Sequence, residues 1–385
     1  CDWSSDVCSS DLSREAALQS PPGTFTRLFG QGRVGLVSLS RDVLARRYAL
    51  PASRWIQVMG ALVHYTEEGV PEGEPLVLIH GFGASLHTWE GLMPALRQRY
   101  RVIRLDLAPF GLTGPLRDAR GRIATMDIDA YRAFIDGFLA ALSLSRATFI
   151  GNSLGGLIAW DLAARRPAMV NRLVLIDAAG FPMKLPIYID LFRHAAVRWS
   201  APWLLPEWII RAATRDVYGD AARVPEATFR RYVDFFYAAG SREAVGRMVP
   251  KLDFDQLDTE RLRGVRQPTL VLWGDRDRWI PPAHAAEFAA RIPDVTLHRY
   301  AGLGHVPMEE DPQRVAADLL RFLDGARAAP ALQPQEFTHD ARPPRRAPPP
   351  SAGTHLRLAR ARAARDPLHQ RVVDLLSGQI GRAHV

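Results

Sequence analysis

The amino-acid sequence predicts an α/β protein with a mostly parallel central sheet flanked by helices and a helical insertion. Three observations lead there. Apolar runs bounded by Gly, Pro and Asp recur along the chain: "PLVLIHG", "RVIRLDL", "ATFIGNS", "RLVLIDA", "PTLVLWGD" and "VTLHRYAG". Runs this rich in Val, Ile and Leu mark strands buried on both faces. Helix-like text such as Met126–Leu142 and Gly156–Arg166 alternates with them, and alternating strands and helices build a parallel sheet. Between Phe181 and about Leu252 the alternation stops and the text turns helical and aromatic.

Before the first of those runs, "RDVLARRYAL" reads as a short amphipathic helix laid on the core, and "RWIQVMGALVHY" as two strands across a Met-Gly turn. The expected organisation is an N-terminal extension at 13–50, a core in two parts at 51–181 and 253–324, and a helical cap at 182–252. The ends are foreign to it. The tail Ile380–Val385 is encodable by a DNA string whose reverse complement, extended by two bases, translates as Asp6–Leu12; the string is a common sequencing adapter. Residues 1–12 and 379–385 are therefore read as adapter-derived and excluded from physical reasoning. The Pro-, Arg- and Ala-rich stretch 325–378 lacks apolar periodicity and reads as a disordered or out-of-frame tail.

Charge and cysteine content narrow the function. Of a net charge of +8, five units fall from Asp324 onward, so the remainder is only mildly basic and no nucleic-acid partner is expected. Cys1 and Cys8, the only cysteines, lie in the adapter-derived stretch, which removes disulfide and thiolate chemistry. No visible run is long and apolar enough to span a bilayer. An upstream signal or anchor, and with it membrane association, stays open; the compartment is undetermined and cytoplasmic by default.

In open parallel sheets, ligand sites form beyond the carboxyl ends of the strands. Four such ends carry notable text: "HGFG" at His80–Gly83, "GNSLGG" at Gly151–Gly156, "WGDRD" at Trp273–Asp277 and "GLGHVP" at Gly302–Pro307. Ser153, between Gly151 and Gly155, stands where an apolar strand meets an apolar helix. A tight turn there lifts the hydroxyl clear of the backbone, and the helix N-terminus aims peptide N–H groups at developing negative charge. Lacking G-x-G-x-x-G spacing, a P-loop lysine and metal-ligand spacing, the chain is expected to use no cofactor and no metal.

From about Arg54 to Leu323 these motifs, in this order, resemble the α/β-hydrolase family, in its serine esterase and lipase-like branch. The resemblance implies Ser153 as nucleophile, Asp277 as acid and His305 as base, with the amides of Phe82 and Leu154 as oxyanion donors. His80, Gly81, Gly151 and Gly155 support the motifs, His80 as a residue shaping the oxyanion loop. Asp275 and Asp177 compete with Asp277 for the acid. One departure is "DLAPFG" at Asp106–Gly111, where relatives often have Pro-Gly before the aromatic residue. His64, His87, His284 and His298 read as solvated or packed. The cap of such relatives covers the site, and Trp199, Trp203, Trp208, Phe235, Phe236 and Tyr237 are candidates for an apolar substrate pocket or for helix-packing core.

The resulting expectation is a serine hydrolase of small apolar esters. A serine attacking an alkyl carbon would be trapped as an ether, which argues against dehalogenase and epoxide-hydrolase chemistry. Two alternatives remain: a hydrolase of carbon–carbon bonds in ring-cleavage products, and a ligand-binding receptor on the same fold.

Overall fold

The computed structural model describes residues 34–325. The readings of residues 1–12, of the start of the N-terminal extension and of the tail beyond Gly325 lie outside the described residues. Eight strands form one sheet: β1 (Ser53–Val58), β2 (Ala61–Gly69), β3 (Pro75–Ile79), β4 (Arg101–Leu105), β5 (Ala147–Asn152), β6 (Val170–Ile176), β7 (Thr269–Gly274) and β8 (Val295–Tyr300). Their order is β1-β2-β4-β3-β5-β6-β7-β8. The first three in space pair antiparallel and all others parallel. Met59 and Gly60, both at positive φ, make the tight turn that joins β1 to β2. The interior strands β5 and β7 are buried along their whole length, as their unbroken apolar text requires.

Along the chain the helices are α1 (Arg41–Tyr48), α2 (Met93–Leu96), α3 (Ile128–Ala141) and α4 (Leu154–Arg165). Then come α5 (Ile187–Asp190), α6 (Ala195–Ser200), α7 (Glu207–Asp216), α8 (Glu226–Phe236) and α9 (Ser241–Met248), followed by α10 (His284–Arg291), α11 (Pro307–Glu310) and α12 (Pro312–Leu323). Helix α3 starts two residues after the expected Met126 because the Asp127 side chain accepts from Ala130 N at 2.9 Å and caps it, an interaction contributing about 1 kcal/mol. Its stripe of Tyr131, Phe134, Ile135, Phe138 and Leu139 recurs at helical spacing and is buried. Helix α4 starts at Leu154 rather than Gly156, since the turn at Ser153 leads straight into it, and it is buried from Leu154 through Ala163.

Helix α1 packs elsewhere than on the sheet. Its one fully buried residue, Leu44, meets Leu112, Phe235 and Ala238, and the hydroxyl of Tyr48 donates to Asp234 on α8 at 2.7 Å. The chain leaves β3 for the outer neighbour β4 and returns to β5 on the other side of β3, so strand order reverses between β3 and β5, which pair with Ile79 opposite Gly151. A crevice opens at such a switch point. The loops carrying His80–Gly83 and Ser153 therefore emerge side by side.

Candidate active site

Ser153 sits at φ 55° and ψ −117°, outside the regions an L-residue ordinarily adopts, at a cost on the order of 1–3 kcal/mol. Neighbouring backbone holds it there: Ser153 N donates to Ile176 O at 3.1 Å, and Ala179 N donates to Ser153 O at 3.0 Å. The glycines make room for the turn. A Cβ on Gly155 would lie 2.0 Å from Ile79 O, one on Gly151 would lie 2.3 Å from Gly155 O, and one on Gly81 would lie 2.9 Å from Ser153 Cβ. Helix α4 thus begins pressed against the end of β3, and Leu154, its first residue, has an N–H with no acceptor inside the helix.

His305 Nδ1 lies 2.7 Å from Asp277 Oδ2, with both side chains almost fully buried. An ionised carboxylate only accepts, so Nδ1 carries the proton and Nε2 is left basic. Asp277 Oδ1 accepts from Trp279 N at 2.7 Å and Ile280 N at 3.0 Å, which fixes the carboxylate plane. The Trp279 ring stacks on the imidazole, with centroids 5.6 Å apart. His305 N donates to Val217 O at 2.7 Å, and Asn152 Nδ2 donates to His305 O at 3.0 Å, tying the histidine loop to the helical insertion and to the residue before Ser153.

The rival carboxylates separate clearly. Asp275 accepts from Gly302 N at 2.7 Å and braces the start of the loop that carries His305. Asp177, also at positive φ, is fully buried behind Asp277; its Oδ1 accepts from Gly274 N at 2.9 Å. Burial first, and then the charge of Asp277, push the Asp177 carboxyl well above the usual carboxylate range. Among the described residues Asp177, Asp277 and His305 form the only His/Asp/Glu cluster with ligand atoms within 4.8 Å of one another, and the His305–Asp277 hydrogen bond occupies the facing atoms.

On the other wall, His80 Nδ1 donates to Gly81 O at 2.7 Å, and its Nε2 accepts from Leu107 N at 2.9 Å. Both ring nitrogens are engaged in a neutral tautomer, and burial lowers its pKa. His80 is a clamp between the loops after β3 and β4. The next loop residue but one, Phe82, packs edge-on against Phe110 at 5.2 Å.

Two cavities meet at Ser153. The larger holds about 710 Å³ of space counting its mouth and is walled by the insertion, with Tyr188, Phe192, Ile209, Val217, Tyr232 and Phe236 opposite Ser153 and His305. The smaller, about 400 Å³ counting its opening to solvent, lies between Leu154, Met183, Leu185, Leu252, Phe254 and Ile280. Phe82, Ser153, Ile189 and Trp279 line both. No Lys or Arg lines either one.

Of the six aromatic candidates Phe236 alone lines these cavities, and Phe235 and Tyr237 are buried, as the helix-packing alternative expects. Consecutive helical residues point about 100° apart, so Phe236 faces the cavity with Tyr232 one turn earlier, while Phe235 turns to Tyr48 and the buried Tyr237 donates to Leu205 O. Trp199 and Trp203 lie on the outside, 74% and 58% exposed. Two further features escaped the sequence reading. Glu310 accepts from Gly304 N at 2.6 Å and from Gly219 N at 2.9 Å, bracing the histidine loop against the insertion. His64 belongs to a second chain of the same residue types, with Ser53 Oγ 2.7 Å from its Nε2 and Asp106 Oδ2 2.7 Å from its Nδ1.

A family model described as alpha/beta hydrolase fold matches residues 74–312, well over half of the chain. The chain belongs to the α/β-hydrolase fold family. Within that family it is 28% identical to the 2-hydroxy-6-oxo-6-(2'-aminophenyl)hexa-2,4-dienoic acid hydrolase of Metapseudomonas resinovorans, over 70% of this chain and 90% of that protein. It is 32% identical to the pimeloyl-[acyl-carrier protein] methyl ester esterase of Aromatoleum aromaticum, over 63% of this chain and 94% of that protein. The structure is similar to that of a meta-cleavage product hydrolase from Pseudomonas fluorescens IP01, with a TM-score of 0.62 and 25% identity over 71% of this chain and 98% of that one. The protein is a hydrolase of this fold.

Proposed function

We propose that the protein hydrolyses carboxylic esters whose acyl and alcohol parts are both apolar, through an acyl-enzyme on Ser153. His305 Nε2 takes the hydroxyl proton as Ser153 Oγ attacks the acyl carbonyl carbon, and the amides of Phe82 and Leu154 donate to the oxyanion. Collapse of the intermediate breaks the ester bond, and the alcohol leaves with the proton from His305. Water, deprotonated by the same imidazole, then attacks the acyl-enzyme and releases the acid. Asp277 holds the imidazole tautomer and stabilises its charged form.

The observation that carries this reading is the pair of apolar cavities meeting at Ser153. Two arms on either side of the attacked carbonyl fit that shape, and burial of their methylenes contributes about 0.8 kcal/mol each. Carbon–carbon hydrolysis of ring-cleavage products is the second reading, because the M. resinovorans relative is named a dienoic acid hydrolase and the P. fluorescens structure a meta-cleavage product hydrolase. The dienoic acid of that relative bears a carboxylate. Burying one without a cationic partner is costly, and neither cavity supplies Lys or Arg, which favours a neutral ester.

The test is turnover of a p-nitrophenyl ester series from acetate to palmitate, alongside a 2-hydroxy-6-oxo-dienoate, by the protein and by Ser153→Ala. Multiple turnovers on medium-chain esters, absent in the variant, are expected. Dienoate cleavage in preference to every ester would replace the ester reading with the carbon–carbon one; saturable ligand binding with no turnover would replace both with a receptor.

A further inference from the structure

We propose that the outer face of the helical insertion docks on a lipid–water interface bearing anionic headgroups. Of the nine large apolar side chains exposed among the described residues, Leu36, Val37, Trp199, Trp203 and Leu204 fall in two short stretches. Those stretches lie side by side. Leu205 N donates to Val34 O at 3.1 Å, and the Arg242 guanidinium donates to Gly35 O and to Ser38 Oγ, so residues 34–38 run along the 199–205 segment. The Trp199 and Trp203 rings meet edge to face with centroids 6.0 Å apart.

This placement is selective. The fold buries Trp89, Trp160 and Trp273 completely, yet leaves a pair of indoles in the open on one edge of the insertion. An indole has an apolar body and a polar N–H, the combination enriched at membrane–water interfaces. Large contiguous apolar patches on a protein surface mark interaction sites. Charge identifies the occupant. The insertion, 182–252, carries a net charge of about +4 and the other described residues about −1, so among the described residues the basic part is the part that bears the indoles. Apolar insertion combined with basic residues is how peripheral proteins hold anionic bilayers.

The patch adjoins the insertion wall of the larger cavity at Ser153. Leu205, next to Leu204, and Phe192, which precedes α6, both line it. Docking would bring that wall to the bilayer, where apolar substrates partition. The inference does not depend on which acyl bond Ser153 cleaves. Among the described residues no helix is long and apolar enough to cross a membrane, so the contact proposed is a surface one.

The experiment is cosedimentation of the full chain with large unilamellar vesicles of phosphatidylcholine and phosphatidylglycerol, three to one, and of phosphatidylcholine alone. The expected result is binding to the mixed vesicles that falls at least about tenfold in Trp199→Ser/Trp203→Ser, falls in the same direction in Leu36→Ser/Val37→Ser, and is several-fold weaker on phosphatidylcholine alone. Circular dichroism melts serve as the folding check, because all four residues are exposed and the variants should melt with the parent. Equal binding by parent and variants, or no binding by the parent, overturns the proposal. So does sedimentation velocity showing a dimer that the tryptophan variant dissociates, which would give the patch to a second copy of the chain.

Discussion

Two sets of Ser, His and Asp gather among the described residues, and only one of them, with Ser153 and His305 on a shared cavity, has an opening at its serine. In the first, Asp277 lies 2.7 Å from His305 and Ser153 stands on a strained elbow with a cavity on either side. In the second, Ser53, His64 and Asp106 are linked at 2.7 Å and 2.7 Å, yet Ser53 opens an extended strand and its Oγ already accepts from Leu50 N at 2.8 Å. His64 N is held by Thr113 Oγ1, and Asp106 takes Leu86 N and Leu112 N at 2.7 Å each. Neither Ser53 nor His64 borders the cavities at Ser153. The three side chains alone do not distinguish the proposed nucleophile from a staple. The distinction comes from the backbone: a positive φ, a helix N-terminus, and glycines that let two loops close on one oxygen. The second chain stitches the β1–β2 hairpin to the loop after β4.

The largest expected difference between the two is catalytic. Ser153→Ala should lower kcat/KM for a p-nitrophenyl ester by on the order of 10⁴ or more, whereas Ser53→Ala should leave it within about threefold. Steady-state kinetics on both variants decides this, and comparable losses would erase the distinction.

The aspartates should invert the pattern. Asp277→Asn is expected to cost on the order of 10⁴ in kcat, while Asp106→Asn costs about 3 kcal/mol of stability with little loss of turnover per folded molecule. Burial acts to raise the Asp106 carboxyl, but the His64 imidazole hydrogen-bonded to it at 2.7 Å holds it well below the usual carboxylate range. Its folded pKa is thus depressed, so its contribution is full above about pH 4 and drains away as the pH falls further. Urea unfolding across that range should show a steeper acid slope in the parent than in Asp106→Asn, whose remaining slope comes from carboxylates such as Asp161 and Asp318.

A smaller effect is expected at Asp177. Its folded pKa is raised, so the protonated form is favoured by folding and stability is lost as pH rises above the unfolded value. Asp177→Asn replaces the carboxyl with a neutral amide whose oxygen can still accept from Gly274 N. It should therefore retain most activity and gain stability at neutral pH. A loss of activity matching that of Asp277→Asn would mean that Asp177 shares the proposed acid role.

Much of this was legible in the text because local rules and global topology agree. Strand runs such as "ATFIGN" have no other home than a buried sheet, and a serine between glycines at a strand-to-helix junction has few purposes. The geometry around Gly155 and Ile79 O was implicit in the residue type. What stayed hidden depends on rotation about a helix or on distant pairing. "FFY" does not say which ring faces the cavity, and nothing in "VHYT" announces that His64 meets an aspartate more than forty residues on. The exposed Trp199 and Trp203 misled for the same reason: aromatic content gives burial on average, and the face a helix turns outward is set by its neighbours.

The most direct test is covalent trapping. Incubation with diethyl p-nitrophenyl phosphate should form one serine Oγ–phosphorus bond per chain with release of one p-nitrophenolate, and peptide mass spectrometry should place the diethylphosphoryl group on Ser153 and leave Ser53 unmodified. Modification of Ser53, or ester turnover that survives full phosphorylation of Ser153, would contradict the account.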